Sequence, residues 1–376
     1  MIYLDNAATT FPKPRKVVAE MTDCLTHYCA NPGRSGHDMA SKMASRIYET
    51  RETIADFFNM TDPLRIVFTA NATESLNLAI KGLLKPGDHV VTTAMEHNSV
   101  LRPLKEMKGI RVTVVPADKN GCVFVRDIEL AISPSTKLVV CTHSSNVTGS
   151  ILPIKEIGSL CRKKRILFMA DASQSAGAIP IDIQAQNIDI LACPGHKSLF
   201  GPPGTGFLYL RPGIDVVPLK EGGTGTDSAN LYQPRYFPEG YEAGTLNGPG
   251  IIGLREGIRF IEELGLKTIQ QWEQHIIEIL TDGIGNLPNI QIYGPDQPSK
   301  KTAIIAFNIK GMDCETAAYE LNKRFGIAVR AGYHCAPLAH KAIGTYGTGA
   351  VRMSPGIFTT EEDIHKTLTA LQKLSG

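Results

Sequence analysis

Ile188-Asp189-Ile190-Leu191-Ala192-Cys193-Pro194-Gly195-His196-Lys197-Ser198 decides the reading of the fold. Residues Ile188 to Ala192 form a short apolar run bounded by turn residues, which reads as a strand buried on both faces. Lys197 follows soon after it, beside His196 and ahead of Gly201-Pro202-Pro203-Gly204, so its amine projects from a strand end into a backbone-rich turn. The likeness to a phosphate-binding P-loop is superficial, because the required spacing of Gly, Lys and Ser or Thr is absent.

On either side the same alternation repeats. Apolar runs at Arg65 to Thr69, His89 to Thr93, Arg111 to Val115, Leu138 to Cys141, Ile166 to Ala170 and Gly206 to Leu210 predict further strands. Amphipathic stretches near Thr73 to Leu83, Ser99 to Met107 and Ile154 to Lys163 predict helices between them. This alternation gives an α/β fold with a mostly parallel central sheet.

Beyond the Gly- and Pro-rich tract from Gly201 to Gly250 the pattern changes. Helices are predicted near Ile251 to Leu264 and Leu266 to Ile284, then a strand at Ala303 to Phe307 and helices at Cys314 to Phe325 and Glu361 to Leu374. The expected organisation is a large α/β domain over residues 15–250 and a smaller α+β domain made of residues 1–14 plus 251–376. The segment Asp5-Asn6-Ala7-Ala8-Thr9-Thr10 is too small and polar to form a core element and is expected to pack back near the active site or the smaller domain. No internal repeat or low-complexity segment interrupts the chain.

The 376 residues are 43% hydrophobic, enough for a sizeable core. With 39 Lys and Arg against 37 Asp and Glu, the net charge of +2 gives no electrostatic ground for nucleic acid or anionic membranes as partners. Met1-Ile2-Tyr3-Leu4-Asp5-Asn6 shows no basic and apolar leader, and no apolar run approaches bilayer length, so the expected compartment is the cytoplasm. The 8 cysteines, at 24, 29, 122, 141, 161, 193, 314 and 335, include no C-x-x-C pair, and most are expected to be small buried hydrophobes. Cys335 stands apart in Gly332-Tyr333-His334-Cys335-Ala336-Pro337, a loop-like context that suits a reactive thiol.

A lysine that works through a Schiff base needs an anion site for a cofactor phosphate and a carboxylate for a pyridine nitrogen. Asn71-Ala72-Thr73-Glu74-Ser75 lies between a strand and a helix, where the N–H groups of Ala72 and Thr73 and the Thr73 hydroxyl can hold a phosphate, or Asn71 can simply cap the helix. Asp171 ends the run Ile166 to Ala170, where a carboxylate faces the ligand crevice of an α/β sheet; a helix cap is its other reading. Gln174 follows and suits a ring hydroxyl. His97 also follows a strand, where an imidazole can lie against a ring or be a satisfied structural histidine.

Taken in order, Asn71-Ala72-Thr73-Glu74, Glu96-His97, Ser145-Asn146-Val147-Thr148-Gly149, Asp171-Ala172-Ser173-Gln174, Gly195-His196-Lys197, Glu242-Ala243-Gly244-Thr245, Arg330-Ala331-Gly332-Tyr333-His334-Cys335 and Val351-Arg352 resemble the class V aminotransferase family. Within it the likeness is to the cysteine desulfurases and selenocysteine lyases, and it runs from Tyr3-Leu4-Asp5-Asn6-Ala7-Ala8 to Arg352-Met353-Ser354. The resemblance implies a fold type I pyridoxal 5′-phosphate (PLP) enzyme of the aspartate aminotransferase-like group. Lys197 would be the Schiff-base lysine, Asp171 would meet the ring nitrogen, Gln174 the ring oxygen, and His97 would stack on the ring. Ala72, Thr73 and His196 would hold the phosphate. Asn146 would sit beside cofactor and substrate, Ala7 near the substrate, and Arg352 would clamp the substrate carboxylate. Thr245 is similar to a residue that reaches the neighbouring subunit's phosphate, which implies a homodimer. Pro194 departs from the pattern, because many relatives carry Ser there to help hold the phosphate.

The chemistry so implied is a sulfurtransferase reaction on L-cysteine. Lys197 removes the α-proton, the Cys335 thiolate takes the sulfur as a persulfide, and L-alanine leaves for a sulfur-acceptor protein to discharge the persulfide. Arg330 and His334 are expected to lower the Cys335 pKa. A selenocysteine lyase, a class V aminotransferase or lyase acting on another amino acid, and a sulfur-relay component without turnover are the alternatives.

Overall fold

The structure, a computed structural model, describes residues 1–33 and 36–376. The first part of the chain runs β1 (Ile2–Tyr3), α1 (Arg15–His27), α2 (Asp38–Phe57), β2 (Ile66–Thr69), α3 (Ala72–Leu83), β3 (His89–Thr93), α4 (Asn98–Glu106), β4 (Arg111–Val115), α5 (Val125–Ala131), β5 (Thr136–Thr142), α6 (Ile154–Lys164), β6 (Leu167–Asp171), β7 (Ile190–Pro194) and β8 (Gly206–Leu210). It continues with α7 (Gly248–Leu264), α8 (Leu266–Gly285), β9 (Ile290–Tyr293), β10 (Ile305–Ile309), α9 (Cys314–Phe325), β11 (Ile327–Ala328), β12 (Arg330–Gly332), α10 (Pro337–Ala342), β13 (Ala350–Met353) and α11 (Glu361–Ser375).

Seven strands form the central sheet in the order β2-β8-β7-β6-β5-β3-β4. Every pair that excludes β8 is parallel, and β8 runs against both its neighbours. The inner strands β3, β5, β7 and β8 are almost wholly buried, which is why they read as continuous apolar runs. Only β4, at the edge, exposes most of its side chains. With β8 reversed, β2, β3, β5, β6 and β7 all end at one edge of the sheet, where α/β folds bind ligands.

A second, four-stranded sheet, β12-β13-β10-β9, is antiparallel and has its own core with α8, α9 and α11 around Ile276, Phe307, Leu321 and Ile364. The chain start joins this part: β1 pairs in parallel with β11, and Asp5 bridges to Ser354. Helix α7, which the sequence boundary at residue 250 assigns to the smaller unit, instead buries Ile251, Leu254, Ile258 and Ile261 in the core of the large sheet.

Two helices, α1 and α2, were not expected. The buried face of α2 carries Ala40, Met43, Ile47, Ile54 and Ala55 at helical spacing, interrupted by Thr50 and Arg51, whereas α1 buries only Val17 and Cys24. Most of the cysteines are buried as expected, at 24, 141, 161, 193 and 314, while Cys122 is half-buried and Cys29, past the end of α1, is exposed. Among the described residues no helix is long and apolar enough to cross a membrane.

Candidate active site

Five strand ends deliver the side chains. Ala72, Thr73, His97, Asn146, Asp171, Gln174, His196 and Lys197 all line one pocket. Thr245, Arg352, Ala7 and Cys335 are not among its lining residues.

The anion end is built on α3. Asn71 caps it by accepting the Glu74 N–H at 3.0 Å, and the backbone leading into Ala72 and Thr73 packs against β8 at Gly206, where any Cβ would come within 2.9 Å of the Asn71 backbone. The cap and the phosphate readings of this turn therefore coexist, since the capping oxygen serves Glu74 and leaves the earlier N–H groups to the pocket. The Thr73 hydroxyl meets Ser99 Oγ at 2.7 Å, and Ser99 Oγ lies 2.8 Å from His97 Nδ1. Ser99 N–H donates to the same Nδ1 at 3.0 Å, which places the imidazole proton on Nε2. Burial, above all, pulls His97 down to about 4, so the ring is neutral.

Asp171, the last residue of β6, is buried at 2% exposure. Its Oδ1 accepts from Ser173 N (2.9 Å) and Ser173 Oγ (2.5 Å), and among the described residues no hydrogen bond takes up Oδ2. Glu96, fully buried behind it, accepts from Thr93 Oγ1 (2.6 Å) and Thr142 N (3.0 Å), and burial raises it to about 8. A neutral Glu96 keeps a second negative charge away from Asp171.

The Lys197 turn is closed by Gly195 N–H to Thr205 O, Phe200 N–H to Lys197 O and Gly201 N–H to Gly195 O. From the other side the N-terminal segment straps it, as expected of a segment packing back on the site. Lys13 Nζ donates to His196 O at 2.6 Å, Thr9 Oγ1 to the same carbonyl at 3.1 Å, and Thr10 Oγ1 to Lys197 O at 3.0 Å. Burial lowers Lys197 to about 8, opposed by Asp171 and aided by Arg352 and Arg330, so a sizeable share of its amine is neutral and nucleophilic near neutral pH. His196 is pulled down to about 4 by burial and then by Lys197 and Lys13, and its buried Nδ1 has no partner among the described residues.

Gln174 Nε2 donates to Ala7 O at 3.0 Å, which ties Ala7 to the wall behind the pocket. Arg352 is buried at 1% exposure; its Nη2 donates to Asp5 Oδ1 (2.9 Å) and its Nη1 to Asn146 O (2.8 Å). Thr245 is exposed and lies 3.5 Å from Asn31 Nδ2.

Cys335 is exposed on the turn after β12. Asn146 Nδ2 donates to His334 O at 2.5 Å and Asn98 N–H to Cys335 O at 2.7 Å, so the loops that carry Asn146 and His97 also grip the turn that carries the thiol. His334 cannot supply a positive charge to that thiol. It is buried, and burial holds it at about 2, with Nε2 donating to Ala350 O at 3.1 Å. Lys13, Ser99, Ser173 and the Asn98 N–H escaped the sequence reading; only Ser99, two residues past His97 at a helix start, carried a usable signal.

A neutral histidine, an unshared carboxylate oxygen and a half-buried amine on the C-terminal edge of a parallel sheet define an α/β enzyme with a lysine-centred pocket. The chain belongs to the class V aminotransferase family, whose model, "Aminotransferase class-V", matches residues 2–367. It is 37% identical to a "Probable cysteine desulfurase" of Methanothermobacter thermautotrophicus, covering 100% of this chain and 95% of that one. It is 35% identical to a "Probable cysteine desulfurase" of Pyrococcus abyssi, over 100% of this chain and 94% of that one. Among solved structures it is similar to the apo cysteine desulfurase of Thermococcus onnurineus NA1, with a TM-score of 0.94 and 34% identity, covering 100% of this chain and 94% of the other.

Class V aminotransferases and cysteine desulfurases are PLP-dependent. The residues here fit that group. The N–H groups opening α3, the Thr73 and Ser99 hydroxyls and the unpartnered His196 Nδ1 suit a phosphate, while the open Asp171 Oδ2 suits a pyridinium nitrogen.

Proposed function

We propose that this chain is a cysteine desulfurase that carries PLP on Lys197 and converts L-cysteine to L-alanine, leaving the sulfur as a persulfide on Cys335. One observation carries the reading: Lys197 and Asp171 face a pocket whose own loops, through Asn98 and Asn146, hold the exposed Cys335. Ala72, Thr73 and His196 would hold the phosphate, Asp171 the ring nitrogen and Gln174 the ring oxygen, with His97 against the ring. When bound, the cofactor supplies an electron sink for the pair left by the α-proton.

The remaining work falls to side chains. Arg352, with Nε free of any partner, receives the substrate carboxylate. Lys197, lowered to about 8, takes the α-proton as general base and returns a proton to the product. The Cys335 thiolate attacks the substrate sulfur: an S–S bond forms, the Cβ–S bond breaks, and its electron pair, once protonated, completes the methyl group of alanine. The sum is one thiol and one L-cysteine giving one persulfide and one L-alanine.

Thr245, exposed and absent from the wall of its own pocket, supports a homodimer in which it serves the neighbour's phosphate. An exposed Cys335 supports direct hand-over of sulfur to an acceptor protein. The test replaces Cys335 with Ala and follows alanine and sulfide from L-cysteine and, separately, alanine from L-selenocysteine. Loss with L-cysteine alone is expected; undiminished desulfuration of L-cysteine would overturn the assignment.

A further inference from the structure

Arg352 on β13 and Arg330 on β12 stand directly opposite each other in the antiparallel register, a pairing in which like charges repel. The Arg352 guanidinium spends Nη2 on Asp5 and Nη1 on the Asn146 carbonyl, and its buried Nε has no partner. Arg330 is half-buried and, among the described residues, makes no ion pair or side-chain hydrogen bond. One carboxylate, that of Asp5, therefore pairs with Arg352, and Arg330 opposite it has no such partner among the described residues. That carboxylate is brought in by the N-terminal strand, whose pairing with β11 and bridge from Asp5 to Ser354 fix the backbone on either side of it.

We propose that Asp5 is a specificity-determining residue, the resident counter-ion of Arg352, whose charge weakens the hold of that guanidinium on the substrate carboxylate. The inference rests on the reading that Arg352 receives the substrate. Asp5 takes Nη2, the nitrogen beside Nε, so an incoming carboxylate meets a guanidinium edge that Asp5 already half occupies. It also places a negative charge on the same guanidinium that the incoming carboxylate must share. At an effective dielectric of about 20, two carboxylates flanking one guanidinium at roughly 6–7 Å cost about fifty- to a hundredfold in affinity. The charge keeps Arg352 paired between turnovers and lets the product carboxylate leave.

The experiment measures calorimetric binding of L-alanine and of L-alaninamide, its neutral counterpart, to the purified protein carrying its cofactor. The ratio of the two affinities reports the carboxylate alone. Asp5→Asn keeps an oxygen for Nη2 and removes the charge, so the ratio should rise about fifty- to a hundredfold at low salt and the gain should shrink at high salt. Asp5→Glu, which keeps the charge, should stay near the native ratio. A ratio that is unchanged or lower in Asp5→Asn overturns the inference, and so does loss of its cooperative thermal transition, which would make the carboxylate a structural requirement only. Arg352→Lys separates the two levels. If it leaves the ratio at the native value, the reading of Arg352 itself fails; if it collapses the ratio while Asp5→Asn does nothing, only the role of Asp5 fails.

Discussion

The Lys197 pocket and the Cys335 turn are held by opposite means. The pocket stands on five strand ends of a buried sheet, and its polar groups are fixed by short side-chain bonds such as Thr73 to Ser99 and Ser173 to Asp171. The Cys335 turn rests on two successive non-glycine residues in the left-handed region, His334 at φ 48° and Cys335 at φ 58°, each costing roughly 1–2 kcal/mol. What offsets that strain is the Asn146 amide and the Asn98 N–H from outside the turn, and the buried His334 ring from within it. A strained turn gripped from outside is how functional groups are commonly presented. The proton chemistry thus sits on the rigid sheet, and the sulfur chemistry on an exposed turn borrowed from the smaller unit.

The largest expected effect breaks the comparison at the pocket. Lys197→Ala should lower alanine release by at least about 10⁴-fold from both L-cysteine and L-selenocysteine, because the base serves either substrate. Comparable residual rates with both substrates in Lys197→Ala and Cys335→Ala would show that the two regions are not divided as proposed. Asp171→Asn is next. It keeps the size of the side chain and removes the charge, and alanine release should fall about 10²- to 10³-fold with both substrates, read as kcat/KM.

On the turn, Asn98→Pro offers a backbone test. Asn98 is the first residue of α4, and His97 before it is extended (φ −70°, ψ 155°), so proline is tolerated at this position. The substitution deletes the N–H that holds Cys335 O and puts a ring carbon in its place, which displaces the thiol. A loss of about ten- to a hundredfold with L-cysteine is expected, with L-selenocysteine turnover kept and faster hydrogen exchange at Ala336. Equal loss with both substrates would place the grip of Asn98 on the pocket and not on the turn.

The two regions also differ in how far sequence reveals them. Strand ends were legible because buried parallel strands are apolar throughout and the residues after them, Asp171, His97 and Lys197, break that run with chemistry. The turn was legible only as a cysteine among glycine and histidine. Its left-handed pair and the two donors that hold it come from residues some 190 to 240 positions away, Asn146 and Asn98, and no local pattern encodes such contacts. The same holds for Lys13 on the His196 carbonyl, and for the buried Arg51 of α2, which pairs with Glu242 at 2.6 Å across 191 positions. The histidine that looked like a cation beside Cys335 proved to be a neutral anchor, since adjacency in sequence says nothing about burial.

That anchor supports the smallest prediction. His334 ordinarily titrates at 6.5 and is held at about 2 in the fold, chiefly by burial. Between those values the unfolded chain binds a proton that the folded chain refuses, so stability rises with pH up to about 6.5 and is lost as pH falls toward the folded value. One such group contributes a slope of about 1.4 kcal/mol per pH unit over that window. His334→Gln retains a donor for the Ala350 carbonyl and cannot titrate. Urea unfolding of the two proteins between pH 4 and 6 should therefore give a shallower loss of stability for the variant, by about one proton. The difference should vanish above pH 7, where both forms are neutral. If the native and variant slopes coincide between pH 4 and 6, the His334 ring is open to protons in the folded state. The strained turn would then have lost the one anchor that is its own.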